Sequence, residues 1–249
     1  MTQQKQPRAS KKRSGDFLQW LKSAGPHLPP EAEESLRLAA VTQNRADSAS
    51  IMRDLAEDGF IYESLRDLRV SRIPYRAAVP TLMKWLRRTS NYDIKEEIVR
   101  ALSVPWAGPE AMQHLVDEFR SAPQSQNSYK WAVANGLAVV ASDDAFEAIA
   151  ELVQDRRHGT SRQMLAVALG NMRNPHAPGV LMELLKDEEV NGHAIIGLGK
   201  LRATAARIYI EPFLKHGKSW IRNEAKKAIA RIDRAAVKRT NKSSSRRLQ

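Results

Sequence analysis

The chain has 249 residues, 42% of them hydrophobic, and a formal net charge of +12. It has no cysteine, which excludes disulfides, thiolate zinc sites and thiol nucleophiles. No apolar run approaches the roughly 18 residues of a membrane span, and the polar, basic start MTQQKQPRASKKRSG lacks the apolar segment of a secretory signal, so a cytoplasmic location and no membrane partner are expected.

Residues 1–15 read as a disordered basic tail, with five cations and no acid in 1–13. Residues 16–76 read as a helical cap. DFLQWLKSA and, after a Pro-rich turn, EAEESLRLAAVT supply packing helices, and 46–70 form a degenerate repeat. Residues 77–233 carry the repeats described below. Residues 234–249 read as a second disordered tail, with six cations and no acid; both tails are too poor in apolar residues to fold alone. Between the tails, 29 basic residues face 28 acidic ones. The charge within this body is uneven: 31–69 sums to −4 and 196–233 to +6.

The repeat shows as two columns. IKEEIVRALS, YKWAVANGLA, SRQMLAVALG, VNGHAIIGLG and IRNEAKKAIA align on Leu102, Leu137, Leu169, Leu198 and Ile229, spaced 35, 32, 29 and 31. The residue before each anchor is Ala101, Gly136, Ala168, Gly197 or Ala228; the residue after is Ser103, Ala138, Gly170, Gly199 or Ala230. A preceding column aligns Leu86, Phe119, Val153, Leu185 and Leu214, spaced 33, 34, 32 and 29. Apolar residues at i, i+3, i+4 and i+7 make a helical stripe, and small residues beside the anchor let helices approach to about 8–10 Å. Pro80, Pro109 and Pro175 fall near helix starts, where a missing N–H matters little. Pro212 falls inside a helix and should kink it. Leu68, 34 residues before Leu102, has Asp67 and Arg69 beside it, as a polar terminal cap would.

This pattern resembles the HEAT-like helical repeat, in the short form of the phycobilisome-lyase type. The matching residues are Ile221-Arg222 with Ala228-Ile229-Ala230, and Arg162 with Ala168-Leu169-Gly170; Lys95 and Lys130 replace the Arg conservatively and Asn191 departs from it. The resemblance implies an all-α protein, an α-solenoid of about five repeats with a divergent N-terminal cap, whose second helices line the concave side.

On that expectation, positions six and two before each anchor and two after it face away from the core. They are Glu96, Arg100 and Val104; Trp131, Asn135 and Val139; Gln163, Val167 and Asn171; Gly192, Ile196 and Lys200; Asn223, Lys227 and Arg231. Trp131 is the expected anchor, because Trp concentrates binding energy. Asn135, Gln163, Asn171 and Asn223 supply amides, and Lys200, Lys227 and Arg231 a basic end. The column Lys95, Lys130, Arg162, Asn191 and Arg222 lies beside the core stripe, and its cations are expected to bridge neighbouring repeats through Asp93, Asp155 or Asp187.

None of the six histidines makes an HExxH pattern, and no Gly-rich phosphate loop or G-x-S-x-G elbow occurs. No catalytic residue, metal or cofactor is assigned. Asp143 and Asp144 read as an N-cap and a first-turn acid. The expected function is a non-enzymatic scaffold binding a protein partner on its second helices, with nucleic acid attracted by the basic tails or the basic C-terminal repeat. The alternatives are a nucleic-acid-binding protein related to HEAT-like DNA alkylation-repair glycosylases, and a bilin-lyase-like protein.

Overall fold

The computed structural model describes residues 29–140 and 142–246; the expected N-terminal tail, and the first part of the expected cap, lie outside them. The chain divides into Met1–Ser50 and Ile51–Gln249. What is described of the first unit is helical, within helix α1 (Pro30–Glu57). There the Ser35 and Thr42 hydroxyls donate to the carbonyls of Glu31 and Leu38, one turn back.

The second unit is built of helices, and no strand occurs among the described residues. After the end of α1 come α2 (Leu65–Val70), α3 (Val79–Arg88), α4 (Tyr92–Leu102), α5 (Gly108–Ser121), α6 (Asn127–Val140) and α7 (Phe146–Gln154). They are followed by α8 (Gln163–Leu169), α9 (Ala177–Leu184), α10 (Asn191–Leu201), α11 (Arg207–Ile210) and α12 (Ser219–Arg246). Their starts follow local chemistry. Ser64 Oγ accepts from the Asp67 amide and caps α2. Asn91 Oδ1 accepts from the amides of Asp93 and Ile94 and caps α4. Prolines stand in the first turns of α3, α5 and α9. At Pro212 the α-helix gives way to a 3-10 turn, Glu211–Lys215, because proline removes a ladder N–H.

The helices pair: α3 with α4, α5 with α6, α7 with α8, α9 with α10 and α11 with α12. The second members also pack in chain order, α2 on α4, α4 on α6, α6 on α8, α8 on α10 and α10 on α12. The first members do so as well, α3 on α5, α5 on α7 and α7 on α9. Leu102, Leu137, Leu169 and Leu198 are fully buried, as is Leu68 in α2; each contributes about 1.5–3 kcal/mol of burial.

The small columns set the spacing of the second helices. A Cβ on Gly170 would collide with the Gly197 backbone, and one on Gly199 would lie 2.8 Å from Ala228 Cα. At Gly136 it would meet Ser103 Oγ at 2.9 Å. At these glycines a neighbouring backbone or side chain occupies the space a Cβ would take. Ile229 and Ala230, in the last pair, are half-buried and exposed.

The C-terminal boundary differs from expectation. Residues 234–246, expected as a disordered tail, continue α12 to Arg246. The segment RAAVKRTNKSSSR holds no proline or glycine, and Ala, Lys and Arg are good helix formers, so a helix already anchored by Ile221, Ala225, Ala228 and Ile232 carries on through it.

Candidate interaction surface

Side chains at the cation column determine which residues are free to bind. Lys95 Nζ donates to Glu118 Oε2 at 2.7 Å, and the same carboxylate accepts from Tyr129 Oη at 2.6 Å, so α4, α5 and α6 share one partly buried node. Burial and the Glu118 carboxylate push the Tyr129 phenol well above its ordinary value. Lys130, 1% exposed, donates to the Ala122 carbonyl at 3.2 Å and to His158 Nδ1 at 2.9 Å. Accepting that bond requires a neutral imidazole. Burial first, and then the Lys130 charge, hold His158 below the ordinary histidine range.

Arg162, also 1% exposed, donates to Asp187 and Glu189 at 2.8 Å each and to the carbonyls of Gly159 and Val153 at 3.0 and 3.2 Å. Arg222, in the last pair, instead donates to the carbonyls of its own preceding turn, His216 and Gly217. Lys95, Lys130 and Arg162 thus link consecutive pairs as expected, through different acceptors, whereas Arg222 does not. Of the three aspartates proposed, only Asp187 receives a column cation's hydrogen bond. Asp155 is engaged by Arg157, and Lys95 reaches Glu118. Asp143 also differs: its carboxylate accepts from the backbone amides of Arg173 and Asn174 at 2.7 and 3.0 Å, reaching the next turn between helices instead of capping its own helix.

The outward stripe is partly exposed and partly committed. Trp131 and Val139 on α6 are 39% and 41% exposed, and Asn135 between them is half-buried. Gln163 Nε2 donates to the Glu189 carbonyl at 3.0 Å. Asn171 Nδ2 donates to the Ala138 carbonyl at 2.6 Å, and its Oδ1 accepts from Lys200 Nζ at 2.7 Å. Those two bonds tie the C-terminal ends of α6, α8 and α10 together. Asn223 and Arg231 are exposed, and Lys227 pairs with Glu224 at 2.7 Å. Two expected wall positions are corrected: Val167 is buried, and Gly192 lies under the Trp220 ring, which also packs on His193. Close packing of successive second helices covers them.

Past the ends of α8 and α10, and against α12, lies an open groove of about 680 Å³ lined in part by Arg173, Lys200, Arg202 and Lys238. A smaller hollow of about 150 Å³ shares Arg202 and Lys238 with it and adds Arg231 and Arg234. Among the described residues, no carboxylate and no aromatic ring lines either. Desolvation, and then the Arg231 charge, hold the Lys200 amine below its ordinary value. The +6 excess of 196–233 signalled this cluster. Its place was hidden because Arg234 and Lys238 fall in the stretch read as a tail.

Among the described residues, no helix is long and apolar enough to cross a membrane, and no group of three or more acidic or histidine side chains is placed to hold a metal ion. The chain matches no protein-family model, and no curated protein matches it.

Proposed function

We propose that the second unit is an α-solenoid of five HEAT-like repeats working as a non-enzymatic interaction module, which receives a protein partner on its second helices around Trp131. The serial packing of first and second helices supports the repeat reading. The observation that carries the binding reading is the exposure of Trp131 and Val139, two large apolar side chains two turns apart on α6. Residues i and i+8 lie on one helical face, and Trp is enriched where binding energy concentrates. Around them, Asn171 and Gln163 act first as links between helices, so the apolar pair is the anchor and the amides form its rim. The partner contributes an apolar pocket for the indole.

Full-length protein carrying a photo-crosslinking residue at Val139 would identify the partner. With that partner in hand, Trp131→Ala should weaken capture by tenfold or more while melting with the parent chain. Undiminished capture by Trp131→Ala removes α6 as the docking face.

A further inference from the structure

We propose that the cationic groove between the ends of α8 and α10 and the side of α12 binds the phosphate backbone of a nucleic-acid duplex. This site goes beyond the α6 surface and does not depend on it. Six cations, Arg173, Lys200, Arg202, Arg231, Arg234 and Lys238, line two adjoining hollows without an acid among the described lining residues. Among the described residues none of the six makes an ion pair, whereas Lys95 and Arg162 each do.

Helix ends explain only part of the cluster. Lys200, Arg202 and Arg173 sit at or just past the C-termini of α10 and α8, where the dipole favours cations. Arg231, Arg234 and Lys238 lie in the interior of α12, at i, i+3 and i+7, one face of a helix. Arg202 adds a backbone observation. It caps α10 with φ 53, in the left-handed region, where glycine is the residue without strain. An arginine stands there instead, with its side chain on the groove.

The lining also selects the ligand. A single phosphate cannot engage cations spread over two hollows, so the ligand carries many. With no aromatic ring among its described lining residues, the groove offers no platform for stacked bases, as a single strand would use. None of the lining residues is an exposed large hydrophobic side chain, so a protein partner finds no apolar anchor. A duplex presents one charge per about 1.7 Å of axis, and arginine forks suit phosphate oxygens.

The test is fluorescence anisotropy of full-length protein with random-sequence 20-base-pair DNA and RNA duplexes, from 50 to 200 mM salt. Engagement of about five phosphates predicts a several-hundred-fold loss of affinity over that range. The variant Arg173→Gln/Arg202→Gln/Arg234→Gln/Lys238→Gln should bind at least tenfold more weakly at 50 mM salt, with its log–log salt slope flattened by about one per cation removed. Replacing the five cations of residues 1–13 by Gln should retain most of the slope. Trp131→Ala should leave duplex binding unchanged. Arg202→Gly guards against misfolding, because it should lose affinity while melting no lower than the parent. The relative strength of the DNA and RNA arms assigns the duplex. The proposal is overturned if the four-Gln variant binds as tightly as the parent, if the N-terminal replacement alone abolishes binding, or if poly-glutamate displaces the duplex as well as unlabelled duplex does.

Discussion

Arg162 and Arg202 are the same side chain placed by the same kind of helix pair, yet they do opposite work. Arg162 is buried, and its guanidinium reaches two carboxylates and two carbonyls, so it fixes one pair against the next. Arg202 is exposed, faces the groove with Arg231, Arg234 and Lys238, and makes no ion pair among the described residues. Position along the series of helix pairs decides the role of a cation. In the middle, a following pair supplies acceptors; beside α12 the cations face one another.

Breaking the buried side of that comparison should have the largest effect. Arg162→Ala removes a donor from Asp187, Glu189 and two carbonyls, leaves Asp187 with the Glu189 amide and Arg156, and should cost about 3 kcal/mol, read as a lowered urea midpoint. Arg202→Ala should stay within about 0.5 kcal/mol of the parent. Equal costs would erase the distinction. Next, Gly197→Leu should cost about 3 kcal/mol, because even a Cβ at Gly197 would lie 3.0 Å from the Ala166 carbonyl and 2.9 Å from Leu181 Cδ1. Gly179 on α9, with nothing within 4 Å of its Cβ direction, is the control: Gly179→Ala should gain about 0.5–1 kcal/mol.

A pH series sharpens the same contrast at Lys130 and His158. The folded state holds His158 below its ordinary value, while the unfolded chain takes up its proton near pH 6.5. Stability should therefore be full above about pH 6.5, fall as pH drops through the folded value, and level off below it. His158→Gln should flatten the fall in melting temperature between pH 7.5 and 5. His193, which burial also holds low, retains the remainder. The smallest effect is expected at the exposed pair Lys227–Glu224, where Lys227→Ala should change stability by at most about 1 kcal/mol.

The helix pairs were legible in the sequence because a large anchor between two small residues recurs only where helices must approach closely, and Gly136, Gly170, Gly197 and Gly199 all sit in such contacts. The column cations were also legible as links, since a charged side chain beside the core stripe needs a partner. Which carboxylate receives each of them was not, because Glu118 and Glu189 reach the column through tertiary packing. Helical angle alone placed Val167 and Gly192 on an open face, and packing between successive second helices covered them. The groove is not legible in the sequence, because its cations come from three separate segments. One of them looked like a tail by composition, although α12, already anchored in the core, continues through it.

Arginine footprinting with phenylglyoxal, on full-length protein with and without duplex, tests the division of cations most directly. Arg162 should be modified slowly and Arg173, Arg202 and Arg231 rapidly, and duplex should protect those three while exposed Arg76 stays reactive. Arg162 reacting as fast as Arg202, or duplex shielding Arg76 as strongly as Arg202, would contradict that division.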